Sequence, residues 1–383
     1  MNTTKIKDVC VVVSGTTPKS TEKRYWNGTH VWITPAELTE DSFIVSDSER
    51  HITDEAVKAT GLKPFPKGTV LLSSRAPIGK VAIAGCDMYC NQGFKNLICS
   101  DSIYNLYLYY FLKSKTEYLN SLGRGATFKE ISKGIVEDIT IPFPAYDEQI
   151  HIAKQLQKIT ELIALKKRQY RYLDDIIRSR FLEMFGNKEY SICQLSDQCE
   201  IITKGTTPTT IGYNFTTDGV RFIKIENITE EGKFDTAKMM HISDECNMIM
   251  RRSQLKSGDL LFSIAGAIGR CAVVTNDILP ANINQALAII RLRKDAQLSR
   301  NFLFAVLKSS YVEKQYKGLR RGGAQLNLSL KDIGNFKILL PPESEQENFI
   351  DLYKQVDKSK MAVQKSLDEL EILKKSLMQT YFG

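Results

Sequence analysis

From Asp147 to about Phe185 the chain carries neither proline nor glycine, and apolar or aromatic side chains recur at Ile152, Leu156, Ile159, Ile163, Tyr170, Leu173 and Ile177. The steps alternate four and three, with Lys166 in the one polar slot. That period is the heptad seam of a left-handed coiled coil. It recurs less cleanly from Ser344 to about Phe382, through Leu352, Val356, Val363, Leu367, Leu370, Leu373 and Leu377. Ser344 and Glu347 stand at capping-box spacing. "PFP" and "LPP" break the backbone just before each helix. Elsewhere the apolar runs are short and β-rich ("CVVVSG", "TVLLSS", "KVAIAG", "VRFIKI", "CAVVTN"), with Gly- and Pro-marked turns between them. They predict strands. The order is domain, helix, domain, helix, with boundaries at 1–146, 147–186, 187–342 and 343–383.

The second half restates the first. "GTTP" at Gly15–Pro18 returns at Gly205–Pro208, 190 residues on. "GTVLLSSRAPIGKVAI" (Gly68–Ile83) returns as "GDLLFSIAGAIGRCAV" (Gly258–Val273), "NQ" at Asn91–Gln92 as Asn284–Gln285, and "LKS" at Leu112–Ser114 as Leu307–Ser309. "GATFKEISKGIVEDITIPFP" (Gly125–Pro144) returns as "GAQLNLSLKDIGNFKILLPP" (Gly323–Pro342), now 198 residues on. Five matches in order, with a slowly drifting offset, mark an internal duplication whose loops absorbed small insertions. "YWNGTHVWITPAEL" (Tyr25–Leu38) and "YNFTTDGVRFIKIENI" (Tyr213–Ile228) disagree, so matching blocks read as scaffold and differing ones as places where each copy reads something of its own.

The fold class is therefore α+β: two tandem mixed α/β domains separated by two long antiparallel coiled-coil helices, with internal pseudo-twofold symmetry. The other arrangement is that each helix only patches its own domain. Helices of about 38 residues span about 57 Å, which equals roughly 17 steps of duplex DNA. A rod with a similar head at each end would read two short sequences with an unread gap. The heads differ, so the half-sites should differ too.

Composition adds less. The chain has 383 residues, 43% of them hydrophobic, and a net charge of +8, which suits an anionic partner and equally suits none. Its eight cysteines form no C-x-x-C pair, and its four histidines, His30, His51, His151 and His241, lie at no metal-ligand spacing. Reduced thiols in a cytoplasmic protein are expected. The N-terminal apolar run is too short for a signal peptide, and no window approaches 18 apolar residues, so no membrane is expected.

Readout of bases needs donors and acceptors on loops, with cations and hydroxyls for the phosphates. "SGTTPKS" offers Thr16, Thr17 and Lys19, and its copy Lys204, Thr206, Thr207 and Thr209; a plain Gly-Pro turn is the other reading. "SLGRGATFKEISK" concentrates Arg124, Thr127, Lys129 and Lys133, and "GLRRGGAQLNLSLK" concentrates Arg320, Arg321, Gln325, Asn327 and Lys331. Arg pairs with guanine and Gln or Asn with adenine; the alternative is a solvated basic loop. Arg75 and Lys95 lie in or beside shared blocks, with Ala265 in the second copy where Arg75 stands in the first.

The arrangement resembles the specificity (S) subunit of type I restriction-modification systems. The motifs that carry the likeness are "SGTTP" and "KGTTP", "APIG" and "GAIG", both "NQ" pairs, and the "GA…IPFP…EQ" and "GA…LLPP…EQ" passages, which together cover nearly all of the chain. The resemblance implies two target-recognition domains, a bipartite site on double-stranded DNA, docking of two DNA-adenine methyltransferase (M) subunits, two restriction (R) subunits in the full complex, and no catalysis in this subunit. Tyr170, Tyr172, Phe181, Met184 and Phe185 on one helix, with Met361, Ile372, Met378, Tyr381 and Phe382 on the other, are the apolar positions expected to meet methyltransferase helices. Packing on the recognition domains is the alternative.

No cofactor is expected. "LPPE" is not the Asn/Asp-Pro-Pro-aromatic loop of amino-methyltransferases, and there is neither a Gly-rich cofactor loop after a strand nor a G-x-x-x-x-G-K-[ST] motif. Asp218, Glu231 and Lys233 loosely imitate a nuclease D…E-x-K set with no equivalent in the first copy. A free-standing DNA-binding regulator and a non-catalytic coiled-coil scaffold are the remaining readings.

Overall fold

The computed structural model describes residues 2–75, 77–124, 129–186, 189–319 and 327–383. It divides into two compact units, one holding Met1–Arg168 with Gln364–Gly383 and the other Gln169–Val363. Both are mixed α and β, and both are built from the same parts.

In the first unit, Thr3–Lys5 pairs antiparallel with Thr140–Pro142, so the strand that opens the domain closes on the strand that ends it. The main sheet has the order Cys10–Val13, Asn96–Cys99, Val70–Leu72, Val81–Ala84, Ile44–Val45. A three-stranded sheet sets Trp26–Ile33 antiparallel to His51–Ile52 and parallel to Tyr89–Cys90. In the second unit, Ser191–Gln194 pairs with Lys337–Leu340. The main sheet runs Cys199–Lys204, Leu287–Leu292, Leu260–Ser263, Cys271–Val273. The three-stranded sheet sets Val220–Ile223 antiparallel to Met240–Ile242 and parallel to Ala281–Ile283. Topology is thus shared even where the sequences of the two copies part.

The apolar runs explain these elements. Val70, Leu71 and Leu72 are fully buried in succession, as a strand covered on both faces requires. "NLYLYYFL" forms the helix Asn105–Ser114, buried all round from Leu106 to Leu112, the pattern of a core helix. Its counterpart Arg300–Leu307 is capped by the Ser299 side chain, which accepts from the Phe302 amide.

The long helices span Tyr146–Phe185 and Glu343–Phe382. In the first unit, Ile152, Ala153 and Leu156 of the first helix share one core with Phe382 of the second. The Tyr381 hydroxyl donates to Gln155 Oε1 at 2.7 Å, and Lys167 pairs with Glu371 at 3.3 Å. Numbers rise on one helix as they fall on the other, so the segments are antiparallel. In the second unit the same holds: Phe181 and Phe185 pack on Phe349 at centroid distances of 5.6 and 5.5 Å, and Lys360 meets Asp174 at 2.6 Å. Neither helix serves its own domain alone.

Ile152, Leu156 and Ile163 are buried and Ile159, Tyr170, Leu173 and Ile177 half-buried, so the first seam stands as read. Two expectations are corrected, and for a third the stated alternative holds. Leu373 is exposed, and half-buried Lys374 takes its seam slot, because Val363, Leu367, Leu370, Lys374 and Leu377 keep the four-three step. Phe181, Phe185 and Phe382 do not face outward; they fill the domain cores where each helix meets its domain. Ser344 is no cap: the helix begins at Glu343, and the Pro342 carbonyl accepts from the Glu345 and Gln346 amides at 2.9 and 3.1 Å.

The glutamines of the two "EQ" pairs tie helix to domain. Gln149 is fully buried; its oxygen accepts from the Tyr104 amide at 2.9 Å and its nitrogen donates to the Ser102 and Pro144 carbonyls. Gln346 repeats this with the Ser299 amide and the Gln297 and Pro341 carbonyls. Among the described residues, no helix is long and apolar enough to cross a membrane.

Candidate nucleic-acid interface

The "GTTP" loop lies directly on the end of a strand. A Cβ on Gly15 would fall 1.7 Å from the Cys90 carbonyl oxygen, and one on Gly205 would fall 1.8 Å from that of Ile283. Only glycine permits this approach. Burial beneath the loop pushes the Cys90 thiol up to about 12, so it stays protonated. The strand then turns through "NQ". Asn91 Oδ1 accepts from the Gly93 amide at 2.9 Å, and Asn284 Oδ1 accepts from the Ala286 amide at 3.2 Å. These Asx turns leave Gln92 and Gln285 exposed at the tips. The Thr17 hydroxyl donates to Gln92 Oε1 at 2.6 Å, and the Thr207 hydroxyl donates to Gln285 Oε1.

Behind each tip the hydrogen-bond chain continues in parallel. The Ser74 amide donates to the Gly93 carbonyl and that of Ile264 to Ala286, both at 2.8 Å. The Ile131 amide donates to Ser74 at 3.0 Å, and that of Leu328 to Ile264 at 2.8 Å. Four segments far apart in sequence are therefore linked in a row: the threonine loop, the "NQ" tip, the strand end at Ser74 or Ile264, and the chain that follows each "GA". In the neighbouring "APIG" and "GAIG" turns, Gly79 and Gly269 have φ of 91° and 94°, a region side chains disfavour. The cation after each turn is used internally. Lys80 Nζ donates to the Pro35 and Leu38 carbonyls, and the Arg270 guanidinium to those of Ile225 and Ile228 at 3.3 and 3.1 Å.

Of the first-copy candidates, Thr17 bonds Gln92 and Arg75 adjoins its neighbour Gly93. A Cβ on Gly93 would lie 3.2 Å from Arg75 Nε. Arg75 and Arg124 both bridge to Glu130 through their backbones. Lys133 lines one cavity of about 480 Å³ with Gly15 and Thr16. Thr16, Thr17, Lys19, Arg124, Lys129 and Lys133 are exposed, and Arg75 is half-buried. Lys95 is turned inward: it is buried, and its ammonium meets Glu130 at 3.1 Å and Ser74 at 3.3 Å. In the second copy, Lys204, Thr209, Asn327 and Lys331 are exposed and Thr206 and Thr207 half-buried. Thr127, Arg320, Arg321 and Gln325 lie outside the described residues.

The block in which the copies diverge differs chemically on a common topology. In the first copy Arg50 stacks 3.3 Å from the Trp26 ring centroid; in the second, Lys224 sits 4.9 Å from that of Phe215. Among the described residues no cluster of three His, Cys, Asp or Glu could hold a metal ion, and the Lys233 amine lies against Met361 Sδ at 3.4 Å. Gln92 and Gln285 were visible in the sequence only as motif letters. The signal was there: each "NQ" is matched by a duplicated threonine 75 or 78 residues away.

A family model for the type I restriction modification DNA specificity domain matches residues 1–173 and again 187–371. The type I restriction enzyme MjaIX specificity subunit of Methanocaldococcus jannaschii is 30% identical over 98% of this chain and 90% of its own length. The EcoBI specificity subunit of Escherichia coli is 24% identical over 76% of this chain and 68% of its own. Among solved structures, the S subunit of M. genitalium aligns with a TM-score of 0.57 at 16% identity, covering 100% of this chain and 96% of that one. A chain from a study of complex assembly and conformational transition of the type I R-M system aligns with a TM-score of 0.63 at 18% identity, covering 100% and 97%.

Proposed function

We propose, because this chain belongs to the family of type I restriction-modification specificity subunits, that its two domains read the two unlike halves of a bipartite site on double-stranded DNA. The chain is the DNA-recognition component of such a system and not its catalytic one. One observation carries the bipartite reading: both units present the same threonine–glutamine tip and the same hydrogen-bond chain behind it, beside segments that differ. A shared frame with unlike surroundings suits two heads doing one task on two different words.

In this reading Arg75, Arg124, Thr127, Lys129 and Lys133 serve one half-site, with Thr16, Thr17 and Lys19 at the backbone. Arg320, Arg321, Gln325, Asn327 and Lys331 serve the other, with Lys204, Thr206, Thr207 and Thr209. Lys95 supports the first set from inside through Glu130. Two DNA-adenine methyltransferase subunits dock on the long helices, where Tyr172, Ile176, Ile372 and Leu373 are exposed, and two restriction subunits complete the assembly.

The test is to express the chain with its methyltransferase partner and map methylated adenines across the genome. A two-part asymmetric motif with an unread gap is expected. A single uninterrupted motif, or a palindrome, would reject the reading.

A further inference from the structure

The mirrored tips carry a consequence of their own, which rests on the DNA-reading function proposed above. The two heads differ in the segments that would read sequence, yet each ends a strand in the same Asx turn with an exposed glutamine. In each, a threonine hydroxyl occupies the amide oxygen. That contact engages the amide oxygen and leaves the Nε2 group, with its two N–H donors, as the donor end of an exposed side chain. A feature held identically in two heads that recognise different words must meet what those words have in common. In duplex DNA that is the sugar–phosphate backbone, which offers acceptors only.

We propose that Gln92 and Gln285 are sequence-independent phosphate anchors, one per head, each donating from Nε2 to a phosphate oxygen. Thr17 and Thr207 are the positioning residues that aim them. The first anchor stands beside Arg75, whose side chain adjoins Gly93, so a cation and an oriented neutral donor face the strand together. The contact sets where each head sits on the duplex, and the neighbouring loops then meet base edges.

The experiment uses the full chain with its methyltransferase partner. Binding is followed by fluorescence anisotropy on a duplex carrying the mapped site and on one of scrambled sequence, over a salt series. Gln92→Ala should weaken both complexes alike, by about tenfold, and leave the methylated motif unchanged; Gln285→Ala should do the same. Gln92→Lys breaks the bond to Thr17 as thoroughly as alanine does, but supplies a cation to the same phosphate. It should bind at least as well as the parent, with a salt slope steeper by about one. If Gln92→Lys binds as weakly as Gln92→Ala, the glutamine is only a loop staple and the proposal fails. A motif altered at one base would mean base readout and overturn it too. Parent-like affinity of both alanine variants would remove the anchors while leaving the bipartite reading intact. Loss of all salt-dependent binding by the parent itself would sink both.

Discussion

Arg291 grips Asp259 through two hydrogen bonds of 2.7 Å, with the carboxylate 1% exposed and the guanidinium 14%. The first copy places Ile98 and Thr69 at the same two points. Thr69 is bonded to the Pro66 carbonyl, three residues back, and Asp259 accepts from the Lys256 amide, likewise three residues back. One fold thus accepts either an ion pair or an apolar–hydroxyl pair. Breaking one partner of a buried pair strands a charge; replacing both does not. Arg291→Ile alone should destabilise the chain by about 3–5 kcal/mol, and adding Asp259→Thr should restore most of that. Urea denaturation of the single and double variants decides, since purely additive losses would contradict the equivalence.

The buried glutamines at the helix starts make a second case. Gln346→Leu leaves the Ser299 amide and two carbonyls without their partner. Each unsatisfied buried group costs about 1–3 kcal/mol. A fall in stability of at least about 2 kcal/mol is expected, with a parallel loss for Gln149→Leu. An unchanged denaturation midpoint would show that water replaces the side chain.

Lys374 occupies a seam position that its counterpart in the first helix fills with Ile177. Burial first, and then the neighbouring Lys113 and Lys167, hold its ammonium below the usual lysine range. A depressed lysine binds fewer protons folded than unfolded, so stability should rise as pH climbs through the folded value toward about 10.5. Lys374→Leu should stabilise the protein by about 0.5–2 kcal/mol at neutral pH and flatten that rise. Thermal melts of both forms between pH 7 and 10 test this; an equal slope would exclude Lys374 as its source.

For specificity, Arg124→Ala is the informative change. Its side chain is exposed beside the Glu130 bridge. If it contacts a base, binding should weaken by about 1–3 kcal/mol, and only the half-site read by the first domain should relax. Methylation mapping distinguishes this from a phosphate contact, which would weaken both halves of the motif together.

Docking of methyltransferase helices can be tested without truncating the chain. Removing Leu370–Gly383 would delete Phe382, which is 2% exposed in the first core, so failure to pull down a partner would be ambiguous. Ile372→Glu with Leu373→Glu alters exposed side chains only. Loss of co-purification with an unchanged melting temperature is the expected result; retained co-purification would move the docking surface elsewhere.

These cases also mark what the sequence alone could tell. The first seam was legible because four-three stepping sustained over so many turns matches a helical seam and no strand period. The second was misread at one position, where hydropathy favoured Leu373 while helix geometry places its polar neighbour inward. Phe181, Phe185 and Phe382 follow the alternative reading, packing on the domains, and the sequence could not choose between the two for a different reason. A helix that serves as both coiled-coil seam and domain wall changes its buried face along its length, and periodicity cannot show where. At the site, duplication pointed to loops that the fold brings together. It could not show that Lys95 is spent on Glu130, a partner 35 residues away in sequence. Nor could it show that a threonine and a glutamine 75 residues apart share one hydrogen bond.

Phe382 stands against Tyr107 and Phe111 at centroid distances of 5.2 and 5.8 Å. The unit that holds the earliest-made residues therefore lacks a wall until Phe382 has been added, whereas the other unit is one uninterrupted stretch of chain. A ribosome emits these residues in one order and the two units mature in the other, with the earlier-made one waiting on Phe382. A nonsense codon just ahead of Phe382 would spare the unit built from Gln169–Val363 and damage the one that had seemed already complete.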